Sequence, residues 1–116
     1  MNKYRDKSDF EINKAVAVAC GYKVMSCEES VMAYINSGYK PFDPCNNPAD
    51  AMPIIIENNI SLHAPRLREG WMAEYTGSDD DVNDGFQADY FDAHNKNPYR
   101  AAMEVFLMMK DAENEK

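Results

Sequence analysis

The stretch YKPFDPCNNPADAMP, from Tyr39 to Pro53, restricts its own backbone before any packing is considered. Each of its four prolines holds φ near about −65° and biases the preceding residue away from the helical region, so residues 40–44 should be extended. Asn47 can then cap a helix with Pro48 at its first position, where the missing N–H has no cost. We therefore predict a turn-rich segment followed by a short central helix, which Asn59 ends in a left-handed conformation.

Capping residues predict two further helices on either side of this stretch. Ser8 and Glu11 have the spacing of a capping box, so a helix should run over about 9–20 and stop at Gly21. Asn97 caps the last helix, which starts with a proline and carries a broad apolar face. Both helices should therefore lie against the core.

Alternating apolar and polar residues predict short strands between the helices. The segments 22–25, 60–64 and 71–76 alternate in this way. The connection between the last two is short enough to make them an antiparallel hairpin. The segment 26–36 fits either a second helix or a strand, and its pattern leaves both open.

These elements predict the α+β class, with one small antiparallel sheet packed against an N-terminal helix, a short central helix and a C-terminal helix. The length of 116 residues suits a single domain over 1–116. Residues 77–97 are polar and acidic, which predicts an exposed loop or lid. Residues 111–116 should form a polar tail.

The charge of the chain restricts its partners. Twenty acidic and twelve basic residues give a formal net charge of −8. This charge argues against direct binding to nucleic acid, whose affinity comes mainly from cations on phosphates, and against an anionic membrane surface. A partner with a basic surface would be attracted.

Cysteine usage indicates a reducing compartment. The three cysteines are an odd number, and the first residues show no apolar signal-peptide core. We therefore expect a cytosolic protein with reduced thiols. Cys45, between Pro44 and Asn46, is the cysteine that we expect to be exposed.

The sequence contains no recognisable metal or catalytic motif. It has no C-x-x-C pair and no closely spaced histidine pair, and its acidic loop fails the EF-hand pattern because Asp84 stands where glycine belongs and Tyr90 where glutamate belongs. Nucleotide-binding glycine loops and serine-nucleophile motifs are missing as well. We therefore assign no catalytic residue, no metal ligand and no cofactor.

Two groups of residues are candidates for binding. The first group would line a pocket beside the proline-rich stretch, with Arg66 and Arg68 holding an anionic ligand such as a nucleotide. These two arginines fit equally well as hairpin-loop cations that face the acidic loop. The candidate ligand-binding residues are His63, Arg66, Arg68, Trp71, Asp43, Asn46 and Asn47, and the candidate acidic interaction surface is Asp79, Asp80, Asp81 and Asp84.

Three blocks of the sequence together resemble the NinX-like family of small lambdoid-phage accessory proteins. The blocks are SDFEINKAVA at 8–17, FDPCNNPADAMPII at 42–55 and NPYRAAM at 97–103. Close relatives are expected to have tryptophan at Met52, where this chain keeps a large apolar group. The resemblance implies a phage or prophage origin, the host cytoplasm and helices packed on a small antiparallel sheet, but it transfers no catalytic residue.

Two hypotheses of function follow from these observations. The first is a non-enzymatic accessory protein, monomer or homodimer, that binds a host or phage protein, interferes with a host defence or mimics DNA through its carboxylates. The acidic residues fit equally well with keeping a small protein in solution. The alternative hypothesis is a protein that binds or processes a small anionic ligand.

Overall fold

A computed structural model of the chain describes residues 2–28, 30–65, 70–76 and 90–114. Three helices and six strands lie in these ranges. They are α1 Asp9–Ala19, β1 Val24–Cys27, β2 Ser30–Ile35, β3 Gly38–Pro41, α2 Pro48–Glu57, β4 Ser61–His63, β5 Trp71–Tyr75, β6 Phe91–Asn95 and α3 Pro98–Asn114. The strands form two antiparallel sheets of three, sheet A in the order β1-β2-β3 and sheet B in the order β4-β5-β6. The predicted α+β class is confirmed, with two sheets where one was expected.

The first helix begins and ends as its caps predict. Ser8 and Glu11 form the capping box, and Gly21 follows the helix with a φ of +86°. One side of α1 packs on β1 and β2, and α1 also contacts α3. The helix therefore lies between sheet A and α3.

The segment 26–36, for which helix and strand were both open, forms most of the β1–β2 hairpin. Val31 and Ala33 alternate with more exposed residues, so one face of β2 is buried under α1. Asn36 and Ser37 have positive φ values of 53° and 75° in the two-residue turn to β3. Two consecutive residues with positive φ suit the twist of a tight hairpin. This turn pairs β2 with β3 and so favours a strand over a helix in the segment 30–35.

The central helix follows the proline-rich stretch as predicted. The Asn47 side chain accepts a hydrogen bond of 3.0 Å from the Ala49 N–H, and Pro48 occupies the first helical position. The helix continues past Pro53 to Glu57, and Asn59 follows it with a φ of 56°. It packs against α3.

Sheet B includes a strand that was expected to be loop. The predicted β4–β5 hairpin is confirmed, but residues 91–95, which the sequence analysis placed in a polar loop over 77–97, form β6 at the other edge of β5. Ala73 and Ala93 face each other across the two strands, and both are buried under α3. Paired small residues at this position let the helix approach the sheet. Residues 77–89 lie outside the described ranges.

The last helix is longer than the sequence analysis allowed. It continues to Asn114, so most of the expected polar tail over 111–116 is helical. Asp111 explains part of this extension, because it binds the Tyr4 hydroxyl and lies 3.2 Å from Nζ of Lys3. The helix thus gains tertiary contacts from the N-terminal residues.

Candidate functional site

A polar network joins the proline-rich stretch to α1. The Asn13 side chain is buried on the inner side of α1, where it donates a 2.7 Å hydrogen bond to Oδ1 of Asp43 and accepts one of 3.0 Å from the Cys45 N–H. Asp43 also accepts from the Asn46 amide, and its own N–H donates to Asp50. Buried polar groups need hydrogen-bond partners. Because separation would leave Asn13 unpaired, these bonds hold the proline-rich stretch against α1.

The same network reaches the start of α3. The Asn97 amide donates to the backbone carbonyl of Cys45 at 2.6 Å and to the Asn46 side chain at 3.2 Å. Its oxygen accepts from the N–H groups of Tyr99 and Arg100, so one side chain both caps α3 and fastens the stretch. We name Asp9, Asn13, Asp43, Asn46 and Asn97 the platform network.

Arg100 lies beneath this network as a buried cation. Its guanidinium donates to Asp9 at 2.5 Å and to Glu104 at 2.6 Å, and it also binds the backbone carbonyls of Tyr4 and Lys7. Burial disfavours its charge, but the hydrogen bonds to the two carboxylates outweigh burial and raise the pKa of Arg100. Arg100 therefore keeps its positive charge inside the protein.

Negative charge is in excess around the platform. Asp9, Asp43, Asp50 and Glu104 carry four charges against one on Arg100, a local balance of −3. Asp9 and Asp43 are half-buried and line a cavity of about 270 Å³. Phe10, Val31, Pro41 and Phe42 also line this cavity, with Asn13, Ser30 and Asn46. Such an acidic cavity with apolar walls suits a cation that has an apolar stem, such as lysine or arginine, better than an anion.

The prediction that Cys45 is exposed is wrong. Its side chain is completely buried, because the Asn13 hydrogen bond holds residue 45 against α1. Burial, together with the nearby Asp9 carboxylate, raises the pKa of the Cys45 thiol far above its usual range. The thiol therefore stays protonated and is a poor nucleophile.

The outer face of sheet A is apolar and open. Register places five apolar or aromatic residues on the face turned away from α1, and they are Met25, Met32, Tyr34, Tyr39 and Pro41. Exposed fractions are 47% for Met25, 44% for Tyr34 and 42% for Tyr39, and the two tyrosine rings pack edge to face with centroids 5.1 Å apart. These fractions leave on the order of 300 Å² of apolar surface, a patch of the size that is often functional.

This outer face leads directly into the acidic cavity. Pro41 belongs to both, and Ser30, on the same face of sheet A, is a second shared residue. The combined surface is therefore an aromatic sheet face with an acidic cavity at one end. No pattern in the sequence indicated it, because the alternation of β2 was compatible with a helix.

The structure separates the candidate ligand-binding residues that it describes. Asp43 and Asn46 line the acidic cavity, and Asn47 is used as the cap of α2. His63 lies 2.7 Å from Glu74 on the outer face of sheet B, beside a second cavity of about 690 Å³. Trp71 is one residue out of phase with Met72, the partner of His63, and points to the opposite face of the sheet.

The remaining candidates lie outside the described residues. They are Arg66 and Arg68 of the ligand group, and Asp79, Asp80, Asp81 and Asp84 of the acidic surface. Ligand binding and the acidic surface stay predictions. Across the four described ranges, no three His, Cys, Asp or Glu side chains are placed to hold a metal ion. Within the same ranges, no helix is long and apolar enough to cross a membrane.

The family of the chain is shown by a match that includes all three sequence blocks of the platform. A family model described as Bacteriophage P22, NinX matches residues 3–110, almost the whole chain. The chain belongs to this NinX family. It is therefore a phage accessory protein, as the resemblance implied. No curated protein and no solved structure gave a significant match.

The geometry gives a physical reason why the blocks of this NinX-family chain belong together. Block 8–17 supplies Asp9 and Asn13, block 42–55 supplies Asp43 and Asn46, and block 97–103 supplies Asn97 and Arg100. The family blocks thus coincide with the residues that hold the proline-rich stretch between two helices. The resemblance indicated these blocks without indicating that they touch.

Proposed function

We propose that this NinX-family chain is a non-enzymatic accessory protein that binds a basic segment of a host or phage protein in the host cytoplasm. The observation that carries the proposal is the outer face of sheet A and its continuation into the acidic cavity. An apolar partner side chain would cover Tyr34 and Tyr39, and a cationic side chain would enter between Asp9 and Asp43.

The size of this surface indicates that a partner contacts both the outer face of sheet A and the acidic cavity. A stable interface buries roughly 800 Å² on each partner, and the apolar face supplies on the order of 300 Å². A partner that covered the face alone would therefore bind weakly. Extending contact past Pro41 into the acidic cavity adds both area and charge complementarity.

The test is affinity capture from lysate of infected host cells, with a matched pair of variants. Tyr34→Thr/Tyr39→Thr removes the aromatic face but keeps residues that favour strands. Ile56→Thr removes an apolar side chain of α2 that is 67% exposed and lies away from the face. We expect one dominant partner, retained by Ile56→Thr and lost by the tyrosine variant.

Salt separates the contribution of charge from that of the apolar face. Exposed charge pairs are screened over about 10 Å at 0.1 M salt, so moderate salt should weaken capture without abolishing it. If the tyrosine variant still captures the partner, the outer face of sheet A is not the binding surface. Capture that is indifferent to salt would refute the role of the acidic cavity.

A small anionic ligand is the second proposal, and it rests on His63, which lines the cavity of about 690 Å³, and on the sequence positions of Arg66 and Arg68. The carboxylates around Asp43 and Asn46 would repel an anion at that end of the predicted site. A panel of nucleotides in thermal-shift assays tests this proposal, and a flat response across the panel would refute it.

A further inference from the structure

The groove between α1 and α3 forms a separate cavity on the side of α1 away from the platform. It has a volume of about 500 Å³ and lies beside Tyr4. Ala15, Val18 and Ala19 of α1 and Leu107 of α3 give it an apolar floor. Along α1 the groove runs from the level of residue 11 to that of residue 19, a length of about 12 Å.

Small and exposed side chains keep this floor accessible. Ala15 and Ala19 are half-buried, and Val18 is 60% exposed although it is a branched apolar residue. Leu107 closes the bottom of the groove and is buried. An apolar ligand would therefore find a preformed surface that water covers at present, and covering it would be favourable.

Lysines surround the groove in a protein whose net charge is −8. Lys7 and Lys14 lie on the α1 side, and Lys110 lies on the α3 side. Among the described residues Lys14 forms no ion pair, and Lys110 forms a loose one at 3.6 Å with Glu113. Lys110 also lies over the Phe106 ring, 5.5 Å from its centroid. Lys14 is therefore the first candidate to hold an anion, and Lys110 could join it by exchanging its exposed partner Glu113 for the ligand.

The two carboxylates of the groove already have partners within the chain. Glu11 accepts hydrogen bonds from Ser8 in the capping box and lies 3.9 Å from Lys7. Asp111 accepts from the Tyr4 hydroxyl and pairs with Lys3. The charges left to act on a ligand are therefore mainly positive.

We propose that the α1–α3 groove binds an organic anion with a linear alkyl body, of the fatty-acid class. The alkyl chain lies on Ala15, Val18, Ala19 and Leu107, and the carboxylate is held by Lys14 and Lys110. This site is independent of the outer face of sheet A and of the protein-binding function proposed above.

The probe is decanoate, titrated into the isotopically labelled full chain and followed by backbone amide shifts in NMR spectra. Decanol and decyltrimethylammonium have the same alkyl chain with a neutral and a cationic head. We expect saturable shifts at the amides of Ala15, Ala19 and Leu107 with decanoate, and weaker binding of the other two compounds.

Variants test the lysines and the floor separately. Lys14→Gln and Lys110→Gln should each weaken decanoate binding about 2–5-fold, as expected for exposed charge pairs. Val18→Asp places a charge on the floor and should remove binding, while its exposed position keeps the fold intact. Lys40→Gln, an exposed lysine on β3, is the matched control and should leave the affinity unchanged.

Four outcomes would overturn the proposal. The first is no saturable shift below the concentration at which decanoate forms micelles. The second is equal binding of all three head groups, and the third is an affinity unchanged in both lysine variants. The fourth is that the shifts lie on sheet A in place of α1 and α3.

Discussion

Replacing Arg100 with leucine should destabilise this protein strongly, because it leaves the Glu104 carboxylate buried without its cation. The side chain of Arg100 is 8% exposed and that of Glu104 only 1%, and they are joined at 2.6 Å. Breaking a buried pair by removing one partner costs about 3–5 kcal/mol. For a chain of this size, that loss lowers Tm by about 12–20 °C.

The double variant Arg100→Leu/Glu104→Leu separates the buried charge from the loss of packing. Removing both charges eliminates the unpaired carboxylate, so the double variant should be more stable than Arg100→Leu by about 2 kcal/mol or more. Arg5→Leu, the same change at an exposed arginine, should alter stability by no more than about 0.5 kcal/mol.

Urea and thermal unfolding, followed by far-UV circular dichroism, measure all three variants. A loss below about 1 kcal/mol in Arg100→Leu would refute the argument, since the penalty for an unpaired buried charge is larger than that. A double variant no more stable than the single variant would show that the lost contacts to the N-terminal carbonyls, and not the carboxylate, dominate.

Three further predictions concern single residues. Asn97→Ala should cost about 1–3 kcal/mol in urea unfolding, and Asn97→Ser should recover about 1 kcal/mol by restoring the cap alone, so equal losses would contradict its double role. Burial raises the pKa of the Cys45 thiol above its value in the unfolded chain, about 8.5. The stability that comes from keeping this thiol protonated is therefore complete below about pH 8.5 and is lost as the pH rises above that value. Alkylation followed by mass spectrometry should find Cys45 protected in the native protein and reactive in urea, and equal rates would refute its burial. Gly70→Ala places a Cβ 2.9 Å from the Asn95 backbone and should cost about 1–3 kcal/mol, whereas Gly38→Ala meets nothing within 4 Å and should be nearly neutral in the same unfolding assay.

Local chemistry explains which elements the sequence predicted. The caps at Ser8 and Asn47, and the left-handed residues Gly21 and Asn59, act within four residues of the groups that they satisfy. Their effect is therefore visible without knowledge of the fold. The α+β class follows from them and from the β4–β5 hairpin.

Pairing between distant strands was not visible in this way. Strand β6 follows an acidic stretch, and its two inward-facing apolar residues, Phe91 and Ala93, make too short an alternation to oppose that composition. Strand β6 is stabilised by pairing with β5 and by packing against α3, and such tertiary contacts are not visible in the local sequence. The division into two sheets has the same origin, since alternation does not specify partners.

The platform network and the buried Arg100–Glu104 pair beneath it were hidden for a related reason. Asn13, Arg100 and Glu104 are ordinary surface residues by type, and nothing local requires them to be buried. The spacing of Arg100 and Glu104 within the apolar last helix was the one available signal, because an i,i+4 ion pair amid apolar neighbours can point inward. Cys45 was misplaced because its cover comes from α1, about thirty residues earlier in the chain.

The long sequence separation between Arg100 and its partners has a consequence for synthesis on the ribosome. Its guanidinium binds groups 91 to 96 residues earlier, and Glu104 binds the Asn2 side chain across 102 residues. The N-terminal residues therefore lack these partners until α3 has been translated, on the order of 5–20 s later at about 5–20 residues per second. Hairpins and helices can form during that time, but the N-terminal residues cannot take up their native contacts before α3 has been made.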